Sequence, residues 1–280
     1  MEFFYQRSYR GPVKAVILDL EGTVLDYGGL GLAKALVELF QRHQVFLPLE
    51  EAHITHALPK ALHIEHLFHL PTVAEQWRKQ YQTLPNETDY QKLADELLQC
   101  QLSRISYDAQ LLPHVAASVQ KWQQAGILIA ATTPESEPLA QAMLQQAQAQ
   151  GFQPDQAVSI DHITSQIPMP PAPWLIAQSA MMLGVYPWES VVAIGDTVDD
   201  IEAGLNAGVW TIGIVQTGRE MGCTAQEIQT MQPDKRQALI NEIRQRMYRS
   251  GAHFVVHTFD QCNRILDEIQ DRLAIGIRPA

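Results

Sequence analysis

The apolar run Val16-Ile17-Leu18 ends abruptly in Asp19, a second carboxylate follows at Glu21, and Gly22-Thr23 turns the chain away. Such a run reads as a buried strand of a parallel sheet, spanning Val13 to Leu20, because both faces of that kind of strand are covered. A carboxylate at its C-terminal end lies where open α/β sheets bind ligands. The same pattern recurs. Ile127 to Ala131 closes in Thr132-Thr133, and Val191 to Ile194 closes in Gly195-Asp196-Thr197. Shorter strands are expected at Ala157–Ile160, Trp210–Val215 and Phe254–His257. Amphipathic helices separate them at Val115–Ala125, Pro138–Gln150, Leu175–Leu183, Asp199–Asn206 and Phe259–Leu273. Strands alternating with helices predict an α/β fold with a doubly wound, Rossmann-like parallel sheet.

Residues 30–108 break this rhythm. They carry four helical patterns and no convincing strand: Leu30–His43, a start at Leu47-Pro48-Leu49 running into a His-rich stretch, Thr72–Gln82 and Glu87–Leu102. The sequence therefore predicts an α-helical cap over 30–108, inserted in a core made of 1–29 and 109–280. Phe68 and Trp77 read as exposed aromatics of that cap.

With 46% hydrophobic residues the chain can bury a sizeable core. Its net charge of −11 disfavours nucleic acid and anionic membrane surfaces as partners. Cys100, Cys223 and Cys262 are odd in number and far apart, which predicts reduced thiols in a cytoplasmic setting. Met1 to Gly11 lacks the apolar centre of a signal peptide, and no apolar stretch is long enough to span a bilayer. The expectation is a soluble intracellular protein.

In a parallel sheet Asp19, Thr133 and Asp196 share one edge, with Asp199 and Asp200 on the next turn. Two carboxylates and a hydroxyl converging there suit a hard cation such as Mg²⁺, which in turn makes a phosphoryl group tolerable at an acidic edge. Asp is also a competent covalent nucleophile toward phosphorus. Asp199 and Asp200 have a second reading, as acids favoured by the positive end of the helix dipole.

These residues resemble the haloacid dehalogenase superfamily. Asp19-Leu20-Glu21-Gly22-Thr23 is similar to its first motif, Thr133 to its second, and Gly195-Asp196-Thr197-Val198-Asp199-Asp200 to its fourth. Asp26-Tyr27-Gly28, Lys60 with His63, Leu84-Pro85, Pro171-Ala172-Pro173-Trp174, Leu183-Gly184-Val185-Tyr186-Pro187, Gly208-Val209-Trp210-Thr211 and Gly251-Ala252-His253-Phe254 resemble the phosphonoacetaldehyde hydrolase family in particular. The resemblance implies cleavage of a carbon–phosphorus bond. Lys60 would form a Schiff base with the substrate aldehyde, Asp19 would take the phosphoryl group, and acetaldehyde and phosphate would leave. It further implies Thr133, His56 and His63 at the substrate, Mg²⁺ on Asp19, Glu21, Asp196 and Asp200, and a homodimer formed through the cap.

Four positions depart from that family. Glu21 stands where its members have Ala and the superfamily's phosphatases have Asp, which favours an alternative reading: a phosphate-ester phosphatase with Glu21 as general acid or base. Pro170 stands where the third motif has Lys or Arg, and no Lys or Arg occurs from Trp122 to Gly218. His162 is the one residue there that can substitute, if protonated. His56-Ala57 replaces a Met-Gly pair. Pro134 replaces a Gly and has no N–H for a phosphate oxygen. Pro134 and Pro170 favour a third reading, a catalytically impaired member that binds a ligand.

Overall fold

The computed structural model describes residues 8–54, 56, 58–163 and 169–279. Ala57, Ile167, Pro168 and most of the segment read for a leader lie outside the described residues.

Six strands form one parallel sheet: β1 (Ala15–Asp19), β2 (Leu128–Thr133), β3 (Gln156–Ser159), β4 (Val191–Gly195), β5 (Trp210–Ile214) and β6 (Phe254–Val256). Their spatial order is β3-β2-β1-β4-β5-β6. The chain thus winds outward from β1 in one direction and from β4 in the other. The crevice between β1 and β4 is the switch point where sheets of this order bind ligands. Asp19 pairs with Thr132, Leu18 with Ile194, and Gly195 with Gly213, so the strands end level at that crevice.

Alternate residues of β1 face opposite sides, as a two-residue period requires. Val16 and Leu18 join a large cluster with Ile129, Trp122, Trp210, Phe259 and Ile269. That side is covered by α6 (Val115–Gln124), α7 (Glu137–Ala149) and α12 (Cys262–Ala274). Ala15 and Ile17 face Ile176, Ala180, Ala203 and Ala207 of α8 (Trp174–Met182) and α9 (Val198–Ala207). Small residues on this side let the helices approach closely.

Between β1 and α6 run five helices: α1 (Gly31–Arg42), α2 (Leu49–Ala52), α3 (Lys60–Phe68), α4 (Pro71–Tyr81) and α5 (Glu87–Asp108). The sequence pattern suggested four, because α3 carries polar His residues on both sides and shows no clean apolar stripe. These helices own an apolar cluster separate from the sheet's, built on Leu36, Phe40, Ile64, Leu67, Leu93 and Leu97. Phe68 and Trp77 belong to it, at 7% and 6% exposure, with ring centroids 5.0 Å apart edge to face. Their expected exposure is thereby corrected: each fills the gap between α3 and α4. All three cysteines are unpaired.

Two helices between β5 and β6 were not read from the sequence. They are α10 (Ala225–Thr230) and α11 (Pro233–Arg249). Local signals mark both starts. Thr224 and Glu227 form a reciprocal capping box, and Pro233 occupies the first turn of α11. Ile240, Ile243 and Met247 of α11 pack on Ile201 and Val255. No described helix is long and apolar enough to cross a membrane.

Candidate active site

The loop after β1 is a tight, multiply bonded turn. Leu25 and Val24 N–H both donate to the Leu20 carbonyl, at 2.8 and 2.9 Å, and Gly22 N–H donates to the Leu25 carbonyl at 2.7 Å. Gly22 has φ +85°, and a Cβ there would collide with the Asp196 carboxylate. Glycine is therefore needed both for the turn and for its contact with β4. Thr23 Oγ1 donates to Asp196 Oδ1 at 2.9 Å and ties the two strand ends together.

Asp196 is held on its other oxygen by the backbone N–H of Arg219 at 2.6 Å. Asp200 Oδ2 accepts from Thr197 N–H and Oγ1 at 2.9 and 2.6 Å, and from Asp196 N–H at 3.2 Å. Thr197 in turn caps α9. So Asp200 is a helix-start acid that also lies beside Asp19 and Asp196 at the strand ends. Asp19, Asp196 and Asp200 each offer an oxygen, and these lie within 4.8 Å of one another. No hydrogen bond to the Asp19 carboxylate is found among the described residues.

Three close acids in a buried place repel. Burial, with Asp200, Asp196 and Glu21 nearby, pushes Asp19 well above the usual carboxylate range. Burial and Asp200 push Asp196 up to about 7. Three carboxylate oxygens this close form a hard donor set that fits a metal ion such as Mg²⁺.

Glu21 is oriented differently. Its carboxylate accepts a hydrogen bond from Thr133 Oγ1 at 2.9 Å and is not among the three clustered acids, which leaves the backbone carbonyl as its means of meeting a metal. Burial and the neighbouring Glu135 raise it to about 7, against opposing pulls from Arg219, Lys60 and the Thr133 hydrogen bond. Glu21 borders a pocket with Asp26, Leu32, Ile105 and Met143, beside α5 and α7. Asp19 borders a separate cleft with Thr132, Pro134, Pro170, Thr197, Asp200 and Arg219. Thr132, not Thr133, faces that second cleft.

The helical segment reaches the strand ends at two points. Lys60 Nζ, at the first turn of α3, pairs with Glu135 Oε1 at 2.5 Å, and Glu135 is 5% exposed. Glu135 N–H donates to Thr133 Oγ1 at 3.1 Å. A continuous polar chain thus runs from Lys60 through Glu135 and Thr133 to Glu21. The exposed His56 places Nδ1 3.0 Å from Asp199 Oδ1. His63 lies on the buried side of α3 with neither ring nitrogen partnered. Burial first, and then Lys60, lower its pKa to about 4, so it is neutral at physiological pH.

Two residues of this site escaped the sequence reading. Glu135 follows the Thr-Thr-Pro turn and carries no local sequence signal of its own. Arg219 is the first cation after the long gap that begins at Trp122. It lies on the loop following β5, which is bound to the first loop by Gly28 N–H on the Thr217 carbonyl (2.7 Å) and by Thr217 Oγ1 on the Gly22 carbonyl (2.9 Å). Burial alone would lower the Arg219 pKa. The carboxylates of Glu21, Asp196, Asp19 and Asp200 outweigh that and raise it. His162 does not take this place. It sits with Glu137 and Ser159 near the end of β3.

Residues 13–208 match the haloacid dehalogenase-like hydrolase family model, and the chain belongs to that family. Its full-length relatives narrow the class. It is 34% identical to phosphonoacetaldehyde hydrolase of Syntrophobacter fumaroxidans over 281 aligned residues, covering 100% of both chains. It is 31% identical to the enzyme of that name from Bacillus cereus, covering 94% of this chain and 98% of the other. The fold superposes on a phosphonoacetaldehyde hydrolase-like protein from Oleispira antarctica with a TM-score of 0.89, at 27% identity and 100% coverage of both. The chain is a phosphonatase-like hydrolase of that superfamily.

Proposed function

We propose that the protein cleaves the carbon–phosphorus bond of a small phosphonate aldehyde, with Asp19 as nucleophile and Lys60 as the Schiff-base amine. The observation that carries this reading is the position of Lys60: it hangs from the helical segment over the strand-end edge, beside the Glu135–Thr133–Glu21 chain. A carbon leaving group needs somewhere to place its electrons. Condensation of the Lys60 amine with the aldehyde expels water and leaves an iminium. Asp19 then attacks phosphorus, the P–C bond breaks, and its electron pair moves into the iminium to give an enamine. Protonation and hydrolysis return acetaldehyde and the free amine, and water cleaves the aspartyl-phosphate. Glu135 is placed to accept the proton that Lys60 sheds before it attacks.

Asp19, Asp196 and Asp200 would hold Mg²⁺. When bound, that ion neutralises phosphoryl charge and orients its oxygens. Because Asp196 titrates near 7, the folded metal-free protein keeps protons that an unfolded chain sheds near pH 4. Such a raised acid contributes stability that fades as pH rises through that window. Mg²⁺ must displace those protons. The Mg²⁺-induced rise in Tm is therefore expected to be small at about pH 5.5 and largest above about pH 7.5. A rise independent of pH in thermal melts would remove this acid set as the metal site.

A second reading is favoured by Glu21. Held by Thr133 and titrating near 7, it can carry a proton to an ester oxygen, as phosphatases of this superfamily require. One experiment separates the two. The protein is incubated with phosphonoacetaldehyde and Mg²⁺, borohydride is added, and Lys60 is examined by mass spectrometry. An adduct on Lys60 with acetaldehyde release is expected. Turnover of a generic phosphate ester with no adduct would replace the first reading by the second.

A further inference from the structure

We propose that the Arg219 guanidinium is the phosphoryl-binding cation of this site, doing from the loop after β5 what a third-motif Lys or Arg does in the superfamily and Pro170 cannot. The proposal rests on the phosphoryl-transfer reading only in taking a tetrahedral oxyanion as the ligand.

Phosphoryl transfer depends on positive charge at the equatorial oxygens, since the protein has little other chemistry to supply. No Lys or Arg lies between Lys121 and Arg219, and Lys60 is committed to Glu135. Arg219 borders the same cleft as Asp19, Asp200 and Pro170, so it faces the acid it would serve and the residue it would replace. Its position is fixed from two sides. Its own N–H is bound to Asp196 Oδ2 at 2.6 Å. A Cβ built on Gly29 would come within 2.8 Å of Arg219 Cβ and 3.1 Å of its Nε, so the first loop lies directly against the side chain. Gly218 lies equally close to β4, since a Cβ there would come within 2.7 Å of Asp196 Cβ.

The guanidinium's donors are unspent. Four carboxylates surround it at longer range, yet no side-chain hydrogen bond or ion pair to Arg219 is found among the described residues. A purely structural arginine amid four acids would be expected to close on one of them. Arg219 lines the cleft, and the planar fork of a guanidinium matches two phosphoryl oxygens in a way an ammonium does not. The loop arrives there because β5 neighbours β4, so its C-terminal end opens beside Asp196. Pro134 and Pro170, which each lack something a phosphate oxygen needs, line the same cleft and are no obstacle once the charge comes from Arg219.

The probe is inorganic phosphate, titrated calorimetrically into the Mg²⁺-loaded full-length protein. The wild type is expected to bind it. Arg219→Gln is expected to weaken binding by about tenfold to a hundredfold, the size of a lost charge-assisted hydrogen-bond pair. Arg219→Lys keeps the charge and the balance of the acids but loses the fork, and is expected to weaken binding by about fivefold or more with a Tm near that of the wild type. Equal phosphate affinity in Arg219→Lys and the wild type would reduce Arg219 to a counter-charge and overturn the proposal, as would a wild type that binds no phosphate. Should Arg219→Gln fail to fold, phenylglyoxal labelling of the wild type serves in its place. Phosphate is expected to protect Arg219 from the reagent, and unprotected labelling overturns the proposal equally. The carbon–phosphorus reading fails separately, by absence of the Lys60 adduct, and leaves the phosphate titration interpretable.

Discussion

Asp19→Asn is expected to abolish turnover, by about 10⁴-fold or more, while raising the stability of the metal-free protein. The two effects have one cause. Asp19 closes β1 with its carboxylate beside those of Asp196 and Asp200. Burial and those neighbours hold its pKa well above the usual range, so its ionised form is a cost to the folded state. The amide removes that charge without changing shape, and it removes the proposed nucleophile. Acetaldehyde or phosphate release measured alongside melts in metal-free buffer reads both. Retained turnover would end the nucleophile assignment. Lost turnover with a lowered Tm would point to a folding defect instead. Mg²⁺ should also raise the Tm of Asp19→Asn less than that of the wild type, since one of the three acids proposed to hold it has lost its charge.

The site makes sense as a charge balance assembled from distant parts of the chain. Asp19 closes β1 and Glu21 follows it, Thr133 and Glu135 come from the end of β2, Asp196 follows β4, Asp200 lies in the first turn of α9, Arg219 on the loop after β5, and Lys60 on α3. Asp19, Asp196 and Asp200 gather at the edge that Arg219 borders, Glu135 pairs with Lys60, and Glu21 lies between the two cations, pulled first by Arg219 and then by Lys60. The third-motif gap at Pro170 looked like a lost function when position in sequence was the only guide. In space the same cleft carries an arginine, Arg219.

What the sequence could reveal follows from how local each signal is. Buried strands ending in Asp19, Thr133 and Asp196 announce themselves by composition, and a parallel sheet then forces those ends to one edge. The doubly wound order β3-β2-β1-β4-β5-β6 follows the same logic. Arg219 gives no such signal. It lies on a loop with no periodicity, and only the Gly28–Thr217 and Arg219–Asp196 bonds bring it to the site. Glu135 was equally silent, because its role depends on Lys60, 75 residues away. Phe68 and Trp77 misled for a related reason: single aromatics on short helices look exposed until the neighbouring helix that covers them is placed.

Lys60→Arg is the substitution that isolates the amine from its charge. Arginine can keep the ion pair to Glu135, which is buried on the carboxylate side, so the contact between α3 and the end of β2 survives. Truncating Lys60 would instead leave Glu135 uncompensated beside Glu21, and would confound chemistry with a buried unpaired acid. A guanidinium does not condense with an aldehyde. Acetaldehyde release is therefore expected to fall by about 10³-fold or more, with kcat falling far more than KM changes, and the borohydride adduct should vanish. Phosphate affinity should stay near that of the wild type, because the oxyanion is met from the Arg219 side. If Lys60→Arg instead retains acetaldehyde release, the Schiff base is not on the path. If it retains hydrolysis of a generic phosphate ester while the wild type forms no adduct, the reaction belongs to Asp19 and a protonated Glu21, and the lysine serves only to hold Glu135 at the mouth of the site.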